Sequence, residues 1–345
     1  MKTTGTGATH KLDAEATSGA GSSGDVGIAG SLALNLVDVE TLALIHAVSG
    51  RGPPTVTLTG PTADVSMSAT SSVESTAKAT ASEDGIGGTV GIGASVAINS
   101  VDDITQAGLE DSGSSAWNPE VTGAHDLTLS ATSTDSMTTT VEGGAAGATV
   151  VLVPVVAISL PTVHTAALMP AGDLLSVSGK VDAQASQTAS SSTSAKGAAK
   201  AGASSTLAVG AALALVIADD QVSANVGRDV TADDAISFRA FGSSTNSSSS
   251  LASAAGAAGK DSSHGDGTDS TGKNVNQKAD TQLKLGNDTK SSTNKSGEGS
   301  GKTATPKAQA TDQNGDKTTI TVAASVTIAI VSTSSTALID RKSVV

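Results

Sequence analysis

Tyrosine and cysteine are missing from this chain of 345 residues, and its aromatic side chains are Trp117, Phe238 and Phe241 alone. Aromatic rings bring the largest buried areas to a globular interior. Any core here must come from Val, Ile, Leu and Ala, which suits strands stacked in a regular array better than a rounded interior. The absence of cysteine removes disulfides, zinc–thiolate sites and thiol nucleophiles from consideration. A long repeat array needs no such staples. Basic residues are also short: 20 Lys and Arg stand against 33 Asp and Glu, for a net charge of −13. That balance disfavours nucleic acid and anionic lipid as partners. Long hydrophobic runs are lacking too. The stretches 148–160, 207–218 and 320–331 are each shorter than the roughly 20 residues a spanning helix needs, so they read as strands and no membrane insertion is expected. Residues 1–25 have no apolar signal-peptide run, which leads us to expect a fragment of a longer exported protein.

What the chain does have is repetition. Five segments align without gaps: Ser31–Asn35, Ser95–Asn99, Val155–Ser159, Ala212–Val216 and Ser325–Ala329. Their last residues are 64, 60, 57 and 113 residues apart, and the final spacing contains a long polar insertion. The match extends further, to Thr41, Thr105, Thr165, Val222 and Ser335, and then to Ala43, Ala107, Ala167, Ala224 and Ala337. Within each core, large aliphatic residues alternate with small ones. Leu32, Leu34 and Leu36 share one parity, as do Val156, Ile158 and Leu160. A period of two marks a strand with one buried face. The expected buried face is the large one, with Leu32, Val96, Val156, Leu213 and Val326 stacking as an internal ladder and Ala or Ser on the opposite face.

A second alternating strand precedes most cores: Val65–Ala69, Leu127–Ala131, Leu175–Gly179 and Ile236–Ala240, followed by Ser/Thr/Ala tracts that read as extended. Gly85–Gly88 and Gly143–Gly144 predict turns before the cores. Asp38, Asp102–Asp103 and Asp219–Asp220 predict turns after them, because Asp side chains accept local backbone hydrogen bonds. One such unit cannot bury its apolar face alone. The expected fold is therefore all-β: a β-solenoid of about five repeats of roughly 60 residues. The alternative is an antiparallel stacked β-sandwich, with the Asp turns closing hairpins.

The boundaries follow from composition. Residues 1–20 are expected to be disordered or a fragment start, and 21–259 to hold repeats one to four and the start of the fifth. The segment 260–317 is rich in Lys, Asp, Asn, Ser, Thr and Gly, carries nine Lys against eight acids, and is expected to be disordered. Residues 318–340 complete the fifth repeat, and 341–345 form a tail.

Few residues carry chemistry. Gly267–Lys273 continues into Asn274 rather than Ser or Thr, and Gly301-Lys302-Thr303 has Ser296 where the first glycine of a phosphate loop belongs. The glycines of 85–93 complete no dinucleotide fingerprint and read as packing glycines. His10, His46, His125, His164 and His264 fall at no metal-binding spacing, and no Gly-x-Ser-x-Gly elbow exists. Asp38, Asp102, Asp103, Asp219 and Asp220 are the remaining candidates. They read first as turn residues and second as a carboxylate row along one edge that takes Ca2+, which favours several oxygen ligands. No other cofactor is expected.

Gly91-Ile92-Gly93-Ala94-Ser95-Val96-Ala97-Ile98-Asn99 and Asp126-Leu127-Thr128-Leu129-Ser130-Ala131-Thr132 resemble repeats of giant bacterial surface proteins, the leukotoxin-like filamentous adhesins and filamentous-haemagglutinin-type exoproteins. The resemblance spans 20–340 apart from the insertion. It implies an extracellular or cell-surface location and a role in adhesion or biofilm, with a host or neighbouring-cell surface, protein or glycan, as partner. It also implies stacking on flanking repeats of the same chain. The expected function is a non-enzymatic structural or adhesive segment. The alternative is a carbohydrate-active β-helix enzyme, a polysaccharide lyase or hydrolase.

Overall fold

The protein is known from a computed structural model, which describes residues 2–6, 9–19, 25–46, 52–81, 88–110, 118–147, 149–201, 206–255, 302–303, 307–311, 320–339 and 343–344. Eighteen strands and no helix occur among the described residues. The first coil runs through β1 (Lys2–Thr6), β2 (His10–Ser18), β3 (Val26–Ile45) and β4 (Thr55–Thr57). The second comprises β5 (Val65–Ala81), β6 (Val90–Leu109) and β7 (Glu120–Thr122), and the third β8 (Leu127–Gly147), β9 (Val150–Met169) and β10 (Leu175–Val177). The fourth comprises β11 (Val181–Ala201), β12 (Leu207–Val226) and β13 (Val230–Ala232). In the fifth, β14 (Ile236–Ala255) is followed by β15 (Lys302–Thr303) and β16 (Lys307–Thr311) before β17 (Ile320–Ile339) and β18 (Ser343–Val344).

These strands stack into two broad sheets and a narrow third side. Sheet A holds β1 and β2, then β5, β8, β11 and β14, with β15 and β16 against β14. Sheet B holds β3, β6, β9, β12 and β17. The short strands pair among themselves, β4 with β7 and β13 with both β10 and β18. Every pairing is parallel. The chain is therefore a parallel β-solenoid of five coils, and the antiparallel sandwich is excluded.

The rows predicted from the repeat are register rows of sheet B. Leu32 pairs with Val96, Val96 with Val156, Val156 with Leu213 and Leu213 with Val326, and the alanine row from Ala43 to Ala337 is equally unbroken. The ladder lapses beside Pro154 and Pro161, which lack the N–H that would bond the next strand.

Several local expectations are corrected. The sheet B strands run straight through Asp38, Asp102–Asp103 and Asp219–Asp220, so these are mid-strand residues and not turns. Parallel neighbours on both sides satisfy the backbone at the two Asp pairs, in β6 and β12, and Asp38, in the edge strand β3, is held in the ladder by β6 on one side. Gly143–Gly144 lies inside β8; of the turn expected at 85–88, residues 85–87 lie outside the described residues. Leu175–Val177 belongs to the narrow side and pairs with Val230–Ala232, whereas the partner of Leu127 in the next coil is Val181. Within residues 1–20, expected to be disordered or a fragment start, β1 and β2 both pair with β5 in sheet A, and in β2 Leu12, Ala14 and Ala16 alternate with charged residues. Most of 260–317 lies outside the described residues, but β15 and β16 within it extend sheet A beyond β14.

The interior is a wedge. Near the narrow side it is filled by Met67, Leu109, Leu127, Leu129 and Met169; toward the opposite edge it consists of Ala77, Ala97, Ala157, Ala195 and Ala214 with a few valines. Here the sheets approach so closely that a Cβ on Gly93 would overlap the Gly144 carbonyl, and one on Gly210 would overlap the Ser253 carbonyl. Overpacking of this kind costs about 1–3 kcal/mol. Gly210→Ala is expected to lower the unfolding free energy by an amount in this range, read as a lower urea midpoint at unchanged slope, and no change would show that the sheets stand farther apart.

Between the two apolar zones runs a polar seam. Asn35 donates through Nδ2 to Ser75 Oγ at 2.9 Å, and Ser75 donates to Asn99 Oδ1 at 2.6 Å. Ser159 Oγ lies 2.6 Å from both Thr139 and Thr193 hydroxyls. Each such sheet B side chain projects between two successive sheet A strands, which locks the coils in step. Buried hydroxyls and amides cost free energy unless paired, so this seam opposes a slip of one coil against the next.

Candidate functional site

The two sheets turn very different faces to solvent. Sheet A presents Ser, Thr, Gln and charged residues, with ion pairs such as Lys11–Glu74 at 2.7 Å and Arg239–Asp182 at 2.8 Å. Sheet B presents aliphatic side chains. The expected internal ladder is external: Leu32 is 64 % and Leu36 70 % exposed, while Ala97 and Ala157, on the opposite parity, are 0 % exposed. The wedge decides this, since its thin part has no room for a leucine or isoleucine from sheet B.

From Val26 to Leu36 the outward positions form six rows across five strands, and of these thirty positions only Ser100 carries a polar side chain. One row consists of Leu34, Ile98, Ile158, Leu215 and Ile328. Another, of Gly30, Ala94, Pro154, Ala211 and Ala324, is a trough between aliphatic ridges. The period-two pattern showed two faces but not which one was inside. The signal available was that Asn35, Asn99, Gly91 and Gly93 share the parity of the alanines, which marks that side as the close-packed, hydrogen-bonded one.

The aspartate row borders this face and is not one continuous edge. Asp38 and Asp102 are outward neighbours, but Thr162 separates Asp102 from Asp219, and Ser332 follows. Asp219 accepts hydrogen bonds from Gln221 Nε2 at 3.0 and 3.2 Å and faces His164 Nε2 at 3.7 Å. Asp103 and Asp220 point the other way and are 0 % and 4 % exposed. The five acids thus split between two faces of sheet B and do not form the single Ca2+ edge expected of them.

Inside the solenoid Asp103 and Asp220 approach a third acid, Asp135 of sheet A, which sequence reasoning missed among its Ser and Thr neighbours. Thr105 donates to Asp103 Oδ1 at 3.3 Å, while Ser244 and Gln187 donate to Asp220. Neither oxygen of Asp135 accepts a hydrogen bond from these donors. The space beside it is about 10 Å3, the volume of one water molecule at most. Burial first, then the adjoining Asp103, push the Asp135 carboxyl up to about 9. At neutral pH it keeps its proton and stands beside Asp103 as a neutral acid. Burial also raises Asp220.

A further cluster sits at the corner leading into sheet A, where Asp64, His125 and Asp126 bring ligand atoms within 4.8 Å of one another. Asp64 Oδ1 accepts from the Asp126 N–H at 3.0 Å, and Asp126 Oδ1 from the Lys180 N–H at 2.9 Å. Each carboxylate thereby holds the backbone of the following coil, and the Lys180 ammonium lies 3.9 Å from Asp126. The sequence signal was an Asp immediately before Val65 and Leu127, the first residues of two sheet A strands. His10 and His46 are exposed strand and strand-end residues, and His264 and Trp117 lie outside the described residues. The protein-family models, the curated proteins and the solved structures contain no match to this chain.

Proposed function

We propose that this chain is a non-enzymatic scaffold and adhesive segment of a large bacterial surface or secreted protein. One observation carries the reading: the ladder keeps its register while the connections leaving it vary widely in length. The links from sheet A to sheet B span 148–149 in the third coil and 312–319 in the fifth, where residues 256–301 also intervene between β14 and β15. Those from sheet B to the narrow side span 110–119 in the second coil and 227–229 in the fourth. A rigid frame that tolerates insertions at its corners suits the presentation of contact loops. The resemblance to filamentous surface proteins points the same way and supports an extracellular or cell-surface location, with a protein or glycan of another cell as partner.

The test is retention of bacterial or host cells, or of arrayed proteins and glycans, by surfaces coated with the chain. Saturable retention that survives Asp102→Asn and Asp219→Asn is expected. A polysaccharide that is depolymerised by the chain and spared by those two variants would replace this reading with the carbohydrate-active alternative.

A further inference from the structure

We infer that the outward aliphatic face of sheet B is a self-association surface, covered by a second copy of this chain packed face to face with its strands antiparallel. The inference deepens the scaffold reading by naming a partner, and it rests on that reading only in treating the face as a contact surface.

The area argues for a partner of this size. Eleven residues along the strand at about 3.3 Å each and five strands at about 4.8 Å each make a patch of about 850 Å2. The largest apolar patch on a monomer is usually about 300–600 Å2, and a stable interface takes about 800 Å2 from each partner. The other broad face of the same solenoid, sheet A, is polar, so the asymmetry does not follow from the fold and is specific to sheet B. Among its thirty positions the face carries no charge, and it ends at the acidic row of Asp38, Asp102 and Asp219.

Shape and charge then select the arrangement. With a two-fold axis along the solenoid, between the Gly30 row and the Leu32 row, each ridge containing Leu32 and Val156 enters the partner's trough containing Gly30 and Pro154. Such interdigitation fits sheets packed about 10 Å apart, and the contact is self-complementary, as a two-fold interface requires. Each acidic row then falls beyond the partner's Val26 row, far from the other acidic row. With strands parallel, the two acidic rows would face each other across the interface, at a cost in repulsion. The antiparallel pair leaves both ends of each solenoid open, so two longer solenoids can run side by side.

Sedimentation of the full chain at micromolar concentrations is expected to show a dimer. Ile158→Lys with Leu215→Lys is expected to weaken it at least about 100-fold, with an unchanged circular dichroism spectrum because both positions face outward. Should the lysines disturb folding, Ile158→Thr with Leu215→Thr keeps strand propensity and is expected to weaken the dimer about 10-fold. Because the chain has no native cysteine, a single Asp102→Cys carries one spin label per copy. The expected distance between labels is about 46 Å, whereas parallel strands would place them about 10–20 Å apart. A monomer at 100 µM, a dimer untouched by both pairs of substitutions, a short label distance, or recruitment to neutral phosphatidylcholine vesicles in place of self-association would each overturn the inference. None of these outcomes bears on cell retention or glycan cleavage, so the two readings fail separately.

Discussion

Urea unfolding is expected to become progressively easier as the pH rises from about 4 to about 9, and Asp135→Asn is expected to remove most of that dependence. The unfolded chain releases the Asp135 proton near the ordinary value of 3.8, whereas the folded protein holds it up to about 9. Below this window both states are protonated and the stability is fully present. Within it the unfolded state alone is ionised, so stability is lost with rising pH by roughly 1–2 kcal/mol for each unit. Above the window both states are ionised and the loss levels off. Asp220, also raised by burial, adds to the same trend. Asparagine keeps the size of the side chain without the ionisation, so at pH 8 Asp135→Asn is expected to be several kcal/mol more stable than the parent, which is a large fraction of a typical folding free energy. A flat profile between pH 5 and 9 in the unmodified protein would mean that water reaches the carboxyl and that the interior is looser than described.

The second large effect separates neighbouring residues of one strand. Ala97→Leu is expected to cost about 3 kcal/mol or more, because Ala97 is 0 % exposed in the thin part of the wedge and three added carbons have nowhere to go. Val96→Thr, one residue earlier, points outward and is expected to change stability by about 0.5 kcal/mol or less. Urea midpoints of the two single variants check this directly. The opposite ranking, with Val96→Thr severe and Ala97→Leu mild, would place the large aliphatic face inside. Each buried alanine methyl contributes only about 0.8 kcal/mol, so stability accumulates over many small, identical contacts between coils.

These two predictions mark where the sequence was legible. The five-fold repeat was read by comparing the chain with itself, and each row it implied, from the Leu32 row to the Ala43 row, is a register row of sheet B. Such rows need no tertiary information, since residues at equal positions in equal coils must meet. Strand assignment was legible for the same reason, because alternation at period two persists through Val65–Ala81 as well as through the apolar cores. The aspartate pairs misled because Asp commonly marks turns, whereas a parallel neighbour on each side already satisfies the backbone here.

By itself, then, the sequence determined an all-β stack of five coils, the residues that line up in columns, and the thin, aromatic-free makeup of its interior. Only the tertiary structure decided which side of sheet B faces inward, because that depends on the distance to a second sheet that no local pattern encodes. It also decided that Asp103, Asp135 and Asp220 converge. They come from different sheets and coils, and their meeting follows from how the sheets interdigitate rather than from any spacing along the chain.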